Sequence, residues 1–291
     1  MIIWAIAKTT IGDMMRKKVL QIFLVVAMGL IVLSLAFSKT LSFSTQGGAS
    51  SDLMIFKSFG MGLIAVAGLF ISLVMGVSLI PQEIERRTIY TILSKPVKRY
   101  EFIAGKLLGA ILTLAINIGL MGLVFVITVT IKAATAEQAP MQMHQAMAGA
   151  DSSQTVPVQI FDPNSVLSVV MIYLQFLVLT SVVIFFSVFL TPTVNFFLGA
   201  GVYIVGLMGS ITETLAGPGV EKANLFVAAI YKFIHVMVPN FDKFNVTNQL
   251  LHPETQVANI WTYTGLVSGY ALLYALIMMT LAIVIFEIKE V

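Results

Sequence analysis

Residues 59–80 read Phe59-Gly-Met-Gly-Leu-Ile-Ala-Val-Ala-Gly-Leu-Phe-Ile-Ser-Leu-Val-Met-Gly-Val-Ser-Leu-Ile80, a run without a charged side chain. A helix of about 20 mostly apolar residues crosses the roughly 30 Å hydrocarbon core of a bilayer. Uncharged runs of this length are typical of membrane spans and unusual in the core of a soluble protein. The stretch therefore predicts a transmembrane helix, and it decides the fold class.

The composition of the whole chain leads to the same class. Of its 291 residues 58% are hydrophobic and 11% are charged, and the mean hydropathy is +0.96. A soluble domain carries about 25% charged residues, so this composition excludes an ordinary soluble enzyme, a disordered chain and a nucleic-acid-binding domain. The net charge is only +3, and the chain has no Cys, which excludes disulfides and thiolate metal sites.

The hydrophobic pattern predicts an all-α membrane protein, a single transmembrane domain over residues 1–291 with six spans. The predicted spans are residues 19–37, 59–80, 103–131, 166–190, 195–212 and 261–286. The first is longer than the apolar core of about 7–15 residues in a signal peptide, so we expect it to be an uncleaved span. The fifth is short and rich in Gly. Lys106 lies in the first turn of the third, where a lysine can extend to the lipid headgroups.

The basic residues predict the orientation of these spans. Six spans put both termini on one side, and with the N-terminus inside, the inner face carries eleven of the 17 basic residues. These eleven are Lys8, Arg16, Lys17, Lys18, Arg86, Arg87, Lys95, Lys98, Arg99, Lys106 and Lys289, and the outer six are Lys39, Lys57, Lys132, Lys222, Lys232 and Lys243. The positive-inside rule therefore places both termini in the cytoplasm and residues 132–165 and 213–259 outside.

Two segments at the inner face have helical patterns. In residues 1–18, apolar side chains that include Trp4 share one side, and Arg16-Lys17-Lys18 follow them. This pattern favours an interfacial helix on the inner leaflet, and a frayed N-terminus is the alternative. In residues 81–102, Pro81 suits a first helical turn and Pro96 an end, which predicts a helix of about three turns.

The helix predicted between Pro81 and Pro96 has two interpretations. Its exposed mixture of aliphatic, Tyr and Arg side chains is favoured at interface centres, which indicates docking of a cytoplasmic partner. Alternatively, pairs between Glu83 and Arg86 or Arg87 simply stabilise an exposed helix. The pattern alone does not choose between them.

The predicted outer segments contain few candidate ligands. Met141, Met143, His144 and Met147 are soft donors suited to cuprous ion, although a flexible Met- and Gln-rich loop is the simpler interpretation. Residues 221–238 form an amphipathic pattern that ends at Pro239, as expected of an interfacial helix or a re-entrant hairpin. His235 and His252 have no partner at ligand spacing and are expected to be surface residues.

The sequence lacks the motifs of an energy-converting enzyme. It has no phosphate-binding G-x-x-x-x-G-K-[ST] loop, no H-E-x-x-H and no G-x-S-x-G. Lys106 and Glu213 lie at span ends, and we expect Asn117 and Gln175 to make interhelical hydrogen bonds. The energy source is therefore expected outside this chain. Three classes remain: a transporter subunit driven by another protein, a passive channel, and a structural membrane protein.

Residues Glu83-Ile-Glu-Arg-Arg-Thr-Ile-Tyr-Thr-Ile-Leu-Ser-Lys-Pro-Val-Lys-Arg-Tyr-Glu-Phe-Ile-Ala-Gly-Lys-Leu-Leu-Gly109 closely resemble the signature of ABC-2-type transporter permeases. The subgroup they resemble is the one associated with maturation of multicopper enzymes. Residues 238–244 and 285–290 are also similar to that subgroup. In the latter, Glu287-Ile-Lys stands where a basic pair is more usual.

The resemblance implies a type V ABC exporter-like fold and the membrane half of an ATP-driven exporter in the bacterial inner membrane. Two permease chains, expected as a homodimer, would pair with two copies of a separate ATPase. ATP and Mg would bind that ATPase, so this chain would hold no cofactor and have no enzymatic activity. The substrate stays open among lipid, peptide, polysaccharide, a sulfur species and a drug.

The resemblance also assigns roles to segments of this chain. The helix after span two would be the coupling helix, the N-terminal helix the connecting helix, and the segment after span five an extracytoplasmic helical hairpin. The residues expected to contact the ATPase are Glu83, Glu85, Arg86, Arg87, Thr88 and Tyr90. Gly105-x-x-x-Gly109 and Gly265-x-x-x-Gly269 have the spacing that lets helices approach closely. The alternative is that they only reflect how common glycine is in membrane spans.

Overall fold

A computed structural model describes residues 2–41, 49–79, 98–146, 163–209, 238–245 and 260–288. Within these ranges the secondary structure is helical and contains no strand, as expected of an all-α protein. The α-helices are α1 (Ile2–Met15), α2 (Lys18–Leu41), α3 (Ala49–Leu79), α4 (Arg99–Ala146), α5 (Pro163–Ser187), α6 (Pro192–Leu207) and α7 (Ile260–Ile288). A short 3-10 helix, η1, covers Asp242–Phe244.

Five of these helices are long and apolar enough to cross a membrane. Their apolar stretches are Lys18–Ala36, Leu53–Leu79, Tyr100–Thr135, Pro163–Ser187 and Ile260–Ile288. Helix α6 is also apolar, but its 16 residues measure about 24 Å, less than the roughly 30 Å core. The described part of the chain therefore contains five candidate spans and one shorter apolar helix, where the sequence predicted six spans.

Helix α4 is longer than its predicted span. It has 48 residues and is about 72 Å long, more than twice the thickness of the hydrocarbon core. The helix continues past Ile131 into an Ala-rich stretch of high helix propensity over residues 132–139, and it runs on through Pro140 to Ala146. The backbone of Met141, Met143 and His144 is thus helical, and Met147 lies outside the described residues.

The helices pack around α5. Most of α5 is buried, and it contacts α3, α4, α6 and α7. Helix α2 is peripheral, and its apolar side chains Ile22, Val25 and Val26 are exposed. Lipid tails are as apolar as these side chains, so an exposed apolar face carries no penalty in a bilayer. The exposed apolar side chains of the peripheral helix are as expected of a helical bundle in a membrane.

Helix α1 joins α2 through a tight connection. The N–H of Lys17 donates to the Met14 carbonyl oxygen at 3.0 Å, and the side chain of Gln21 donates to the Met15 carbonyl oxygen at 2.9 Å. These bonds satisfy carbonyls that a helix end leaves without partners. They hold α1 close to the start of α2, from where it reaches α4.

Candidate functional site

The residues predicted to contact an ATPase lie outside the described part of the chain. These are Glu83, Glu85, Arg86, Arg87, Thr88 and Tyr90. The described chain resumes at Lys98, one residue before α4. The part of the described chain that follows this candidate coupling site in sequence is the start of α4.

The start of helix α4 has one of the two hydrogen bonds that make up a capping box. The backbone N–H of Lys98 donates to Glu101 Oε2 at 3.0 Å, and the N–H of Phe102 donates to the Lys98 carbonyl oxygen. A carboxylate at this position satisfies a free donor and complements the positive end of the helix. The segment before Lys98 is therefore attached to a well-defined helix start.

Helix α1 packs against α4 at Gly105 and Gly109. A Cβ atom on Gly109 would lie 2.9 Å from the Ala7 carbonyl oxygen and 2.6 Å from Thr10 Cβ. A Cβ atom on Gly105 would lie 3.0 Å from the Ile3 carbonyl oxygen. The close approach predicted from this glycine spacing is confirmed, and the partner helix is α1.

The second glycine pair behaves differently. A Cβ atom added to Gly265 or Gly269 would meet no atom within 4 Å. The two glycines lie on an exposed part of α7. The same spacing thus forms a helix contact at Gly105 and Gly109, while in the described chain it forms none at Gly265 and Gly269.

The start of α4 also contacts the end of α7. The rings of Phe102 and Phe286 stack with centroids 6.2 Å apart, and both side chains are buried. The ammonium group of Lys106 lies 5.7 Å from the Phe102 ring centroid. Lys106 is only 5% exposed, so it is enclosed by the bundle and does not extend freely to the headgroups as predicted. The spacing of residues in the sequence does not indicate this burial.

Asn117 and Gln175 both make polar contacts in the interior of the bundle. Gln175 Nε2 lies 3.4 Å from Tyr203 Oη, which links α5 to α6. Asn117 Nδ2 donates to the Thr113 carbonyl oxygen of its own helix at 2.8 Å and lies 3.9 Å from Met15 Sδ of α1. The interhelical role is confirmed for Gln175, whereas the shorter bond of Asn117 is within α4.

Asn195 is a buried polar residue that the sequence analysis missed. Its Nδ2 donates to the Val183 carbonyl oxygen at 3.0 Å, which joins the first turn of α6 to α5. Among the described residues, its Oδ1 and the hydroxyl of Thr180 are buried without a hydrogen-bond partner. An Asn at the start of an apolar run is the sequence signal for such a residue. The sequence does not indicate which group on another helix it would contact.

Residues Val238–Asn245, which we call the outer clasp after the side of the membrane predicted for them, lie between the end of α6 and the start of α7. The N–H of Phe241 donates to the Gly206 carbonyl oxygen at 3.0 Å. Tyr263 Oη donates to the Lys243 carbonyl oxygen at 2.7 Å, and the N–H of Asn240 donates to Tyr270 Oη at 3.3 Å. The outer clasp therefore binds both α6 and α7.

The outer clasp also closes against a glycine. A side chain at Gly206 would overlap the Phe241 ring and would come within 2.5 Å of the Pro239 carbonyl oxygen. Residues 238–244 stand out in the sequence by their family resemblance, but the sequence does not indicate this contact. Pro239, which the sequence predicts to end a helix, is buried here.

No group of three or more His, Asp or Glu side chains able to hold a metal ion occurs within the described ranges. The side chains of Met141, Met143 and His144 lie outside the description. Copper binding by these residues stays a prediction.

Together these features define a multi-pass, all-α membrane protein whose described interior contains one buried charge, Lys106. The sequence model of the ABC-2 family transporter proteins matches residues 4–291, and the chain belongs to that family. Members of this family are membrane subunits of ABC transporters and generally work with an ABC ATPase. No curated protein matches the chain.

Proposed function

We propose that this chain is the transmembrane permease subunit of an ATP-driven exporter, with ATP hydrolysed on a separate ATPase subunit. The observation that carries the proposal is the family match over residues 4–291. The single buried charge in the described bundle supports an external energy source, because ion-coupled carriers place ionisable groups at membrane depth.

The proposed topology has six spans with both termini in the cytoplasm of a bacterial cell. Helix α6 would complete the fifth span together with residues beyond Leu207, followed by the extracytoplasmic hairpin. Two exposed tryptophans support this arrangement, Trp4 of α1 at 61% and Trp261 of α7 at 71% exposure. Trp4 lies by the α4 start and Trp261 at the end of α7 away from Phe286, as expected of residues at the two membrane interfaces.

The segment between α3 and α4 is the proposed coupling helix. Glu83, Glu85, Arg86, Arg87, Thr88 and Tyr90 would contact the ATPase, as the signature resemblance implies. The segment leads directly into the capped start of α4, on which α1 and Phe286 are packed. Movement of the ATPase would therefore reach three helices at once, with α1 as the connecting helix on the inner leaflet.

The proposed assembly contains two permease chains, as a homodimer, and two ATPase subunits of the type V exporter class. ATP and Mg would bind the ATPase, and this chain would contribute neither a cofactor site nor a catalytic residue. The subgroup associated with multicopper enzymes is proposed on the resemblance of residues 83–109. The cargo would leave the cytoplasm.

Co-purification with the ATPase encoded beside this chain tests the proposal. We expect the wild-type chain to retain the ATPase, and the Arg87→Glu/Tyr90→Ala variant to lose ATP-dependent transport. Lys222→Glu is the matched control, since it reverses a charge in the proposed extracytoplasmic segment. Ion flux in liposomes without ATP would instead establish a passive channel. An ATPase whose activity is indifferent to this chain would favour a membrane scaffold or maturation subunit.

A further inference from the structure

Helix α1 runs alongside the first part of α4 and in the same direction. A Cβ atom on Gly105 would lie 2.8 Å from Ile6 Cβ, near the start of both helices. Further along both helices, Asn117 Nδ2 lies 3.9 Å from Met15 Sδ. The end of α1 is therefore close to Asn117, which is about 27 Å along α4 from its first residue.

Three consecutive cations follow the end of α1, namely Arg16, Lys17 and Lys18, which we call the basic elbow. Arg16 and Lys18 are exposed. Residues 1–21 contain four basic side chains and a single acidic one, Asp13, and the first turn of α2 has no acidic side chain. This segment therefore has an excess of three positive charges.

In the proposed topology, the basic elbow lies at membrane depth. The apolar stretch of α4 is Tyr100–Thr135, and Asn117, which the end of α1 contacts, lies in the middle of it. The basic elbow is also about 18 Å along α1 from Trp4, which that topology places at the inner interface. Cations at such a depth are costly unless anions or water reach them. A negatively charged group from the inner side would remove this cost.

The surface next to the basic elbow fits the two parts of a phospholipid. Gly12, one turn before the elbow, is exposed, and a Cβ atom there would meet no atom within 4 Å. After the elbow, α2 presents the exposed apolar side chains Ile22, Val25 and Val26. A phosphate group can thus reach the cations while an acyl chain of the same molecule lies along α2.

We propose that the basic elbow binds anionic phospholipids of the inner leaflet. Their phosphate groups contact Arg16 and Lys18, and their acyl chains cover the exposed face of α2. Anionic lipids bind better than zwitterionic ones, because a zwitterionic headgroup cannot neutralise the excess charge of residues 1–21. The lipid also holds α1 against α4. The inference rests on the proposed topology, which places the N-terminus inside.

The full-length chain in nanodiscs tests this lipid site. One set of nanodiscs contains phosphatidylcholine alone, and the other an equal mixture with phosphatidylglycerol. The elbow variant is Arg16→Gln/Lys18→Gln. Lys98→Gln/Lys243→Gln is the matched control, since it removes two exposed cations away from the elbow. Native mass spectrometry measures the phosphatidylglycerol retained, and thermal unfolding measures the stability.

We expect the wild-type chain and the control to retain several-fold more phosphatidylglycerol than the elbow variant does. The wild-type chain should unfold at a higher temperature in the mixture than in phosphatidylcholine, and the elbow variant should lose most of this difference. Inorganic phosphate added to phosphatidylcholine nanodiscs should not replace the lipid. Equal retention by the elbow variant and the control, or full stabilisation by inorganic phosphate, overturns the lipid site.

Thiol labelling in proteoliposomes gives a second test that does not need the elbow variant to fold. The chain has no natural Cys, and both Gly12 and Gly29 have open space for a side chain. We expect a charged thiol reagent to label Gly12→Cys from the inner side, because headgroups and water reach the elbow. Gly29→Cys, about 17 Å along α2 from Lys18, should stay unlabelled.

The two labelling sites also separate the lipid site from the proposed topology. Lack of labelling at Gly12→Cys from both sides would show that headgroups do not reach the elbow and would overturn the lipid site. Labelling of Gly12→Cys from the outer side alone would instead overturn the orientation on which the proposed function depends.

Discussion

Phe102 and Phe286 stack on each other although they lie at the first turn of α4 and the last turn of α7. Stacked aromatic pairs add to the free energy of burial and fix the relative position of their helices. The contact joins the helix that follows the proposed coupling segment to the helix that holds the outer clasp. It is therefore the point at which a local substitution would affect both ends of the bundle.

Replacement of Phe286 with Ala should destabilise the chain by about 3 kcal/mol, because a buried ring is lost and a cavity forms against Phe102. The free energy of unfolding in mixed detergent micelles measures this effect. Ile288→Ala is the control on the same helix, since Ile288 is 76% exposed. Equal stability of the two variants would contradict the contact.

Replacement of Gly109 with Ala should separate α1 from α4. The new methyl group would lie against the Ala7 carbonyl oxygen, a backbone atom that cannot rotate away. We expect a loss of about 1–3 kcal/mol, the range for overpacked sites, and faster proteolysis of α1. Gly119→Ala on the same helix meets no atom within 4 Å and should be neutral or slightly stabilising. Unchanged protection of α1 in Gly109→Ala would refute the packing.

Replacement of Asn195 with Ala should weaken the junction of α5 and α6. The substitution removes the hydrogen bond to the Val183 carbonyl oxygen, and such bonds contribute about 1 kcal/mol in membrane proteins. Thermal unfolding in detergent gives the measurement, with Thr280→Ala as an exposed control. A smaller effect at Asn195 than at Thr280 would show that the bond is not made.

The two tryptophans provide a test of the proposed orientation. Single-tryptophan variants Trp4→Phe and Trp261→Phe leave one emitter each, since the chain has two. In proteoliposomes of known orientation, we expect an impermeant aqueous quencher to reach Trp261 from the outer side and Trp4 from the inner side. Quenching of both residues from the same side would disprove the topology.

Several features of the fold follow from single segments of sequence. The uncharged runs predicted membrane helices, and five helices of the described chain have that character. The spacing of Gly105 and Gly109 predicted a close helix contact, which is present. These predictions succeed because hydrophobic length and helical periodicity are local properties.

Other features of the structure depend on which residues the fold brings into contact. The length of α6, the burial of Lys106 and the partner of Asn195 were not evident from spacing. The same glycine motif packs in α4 and stays open in α7, so the motif alone does not identify a contact.

By itself, the sequence determined that this chain is a helical membrane protein, because the cost of moving each uncharged run into lipid depends on that run alone. Its match to the family model over residues 4–291 places it in the ABC-2 family. The tertiary structure decided that α1 lies on α4, that Phe102 meets Phe286, and that Phe241 closes on Gly206. These contacts join residues far apart in the chain. Their stability comes from complementary packing and hydrogen bonds between helices, and no single stretch of sequence encodes these.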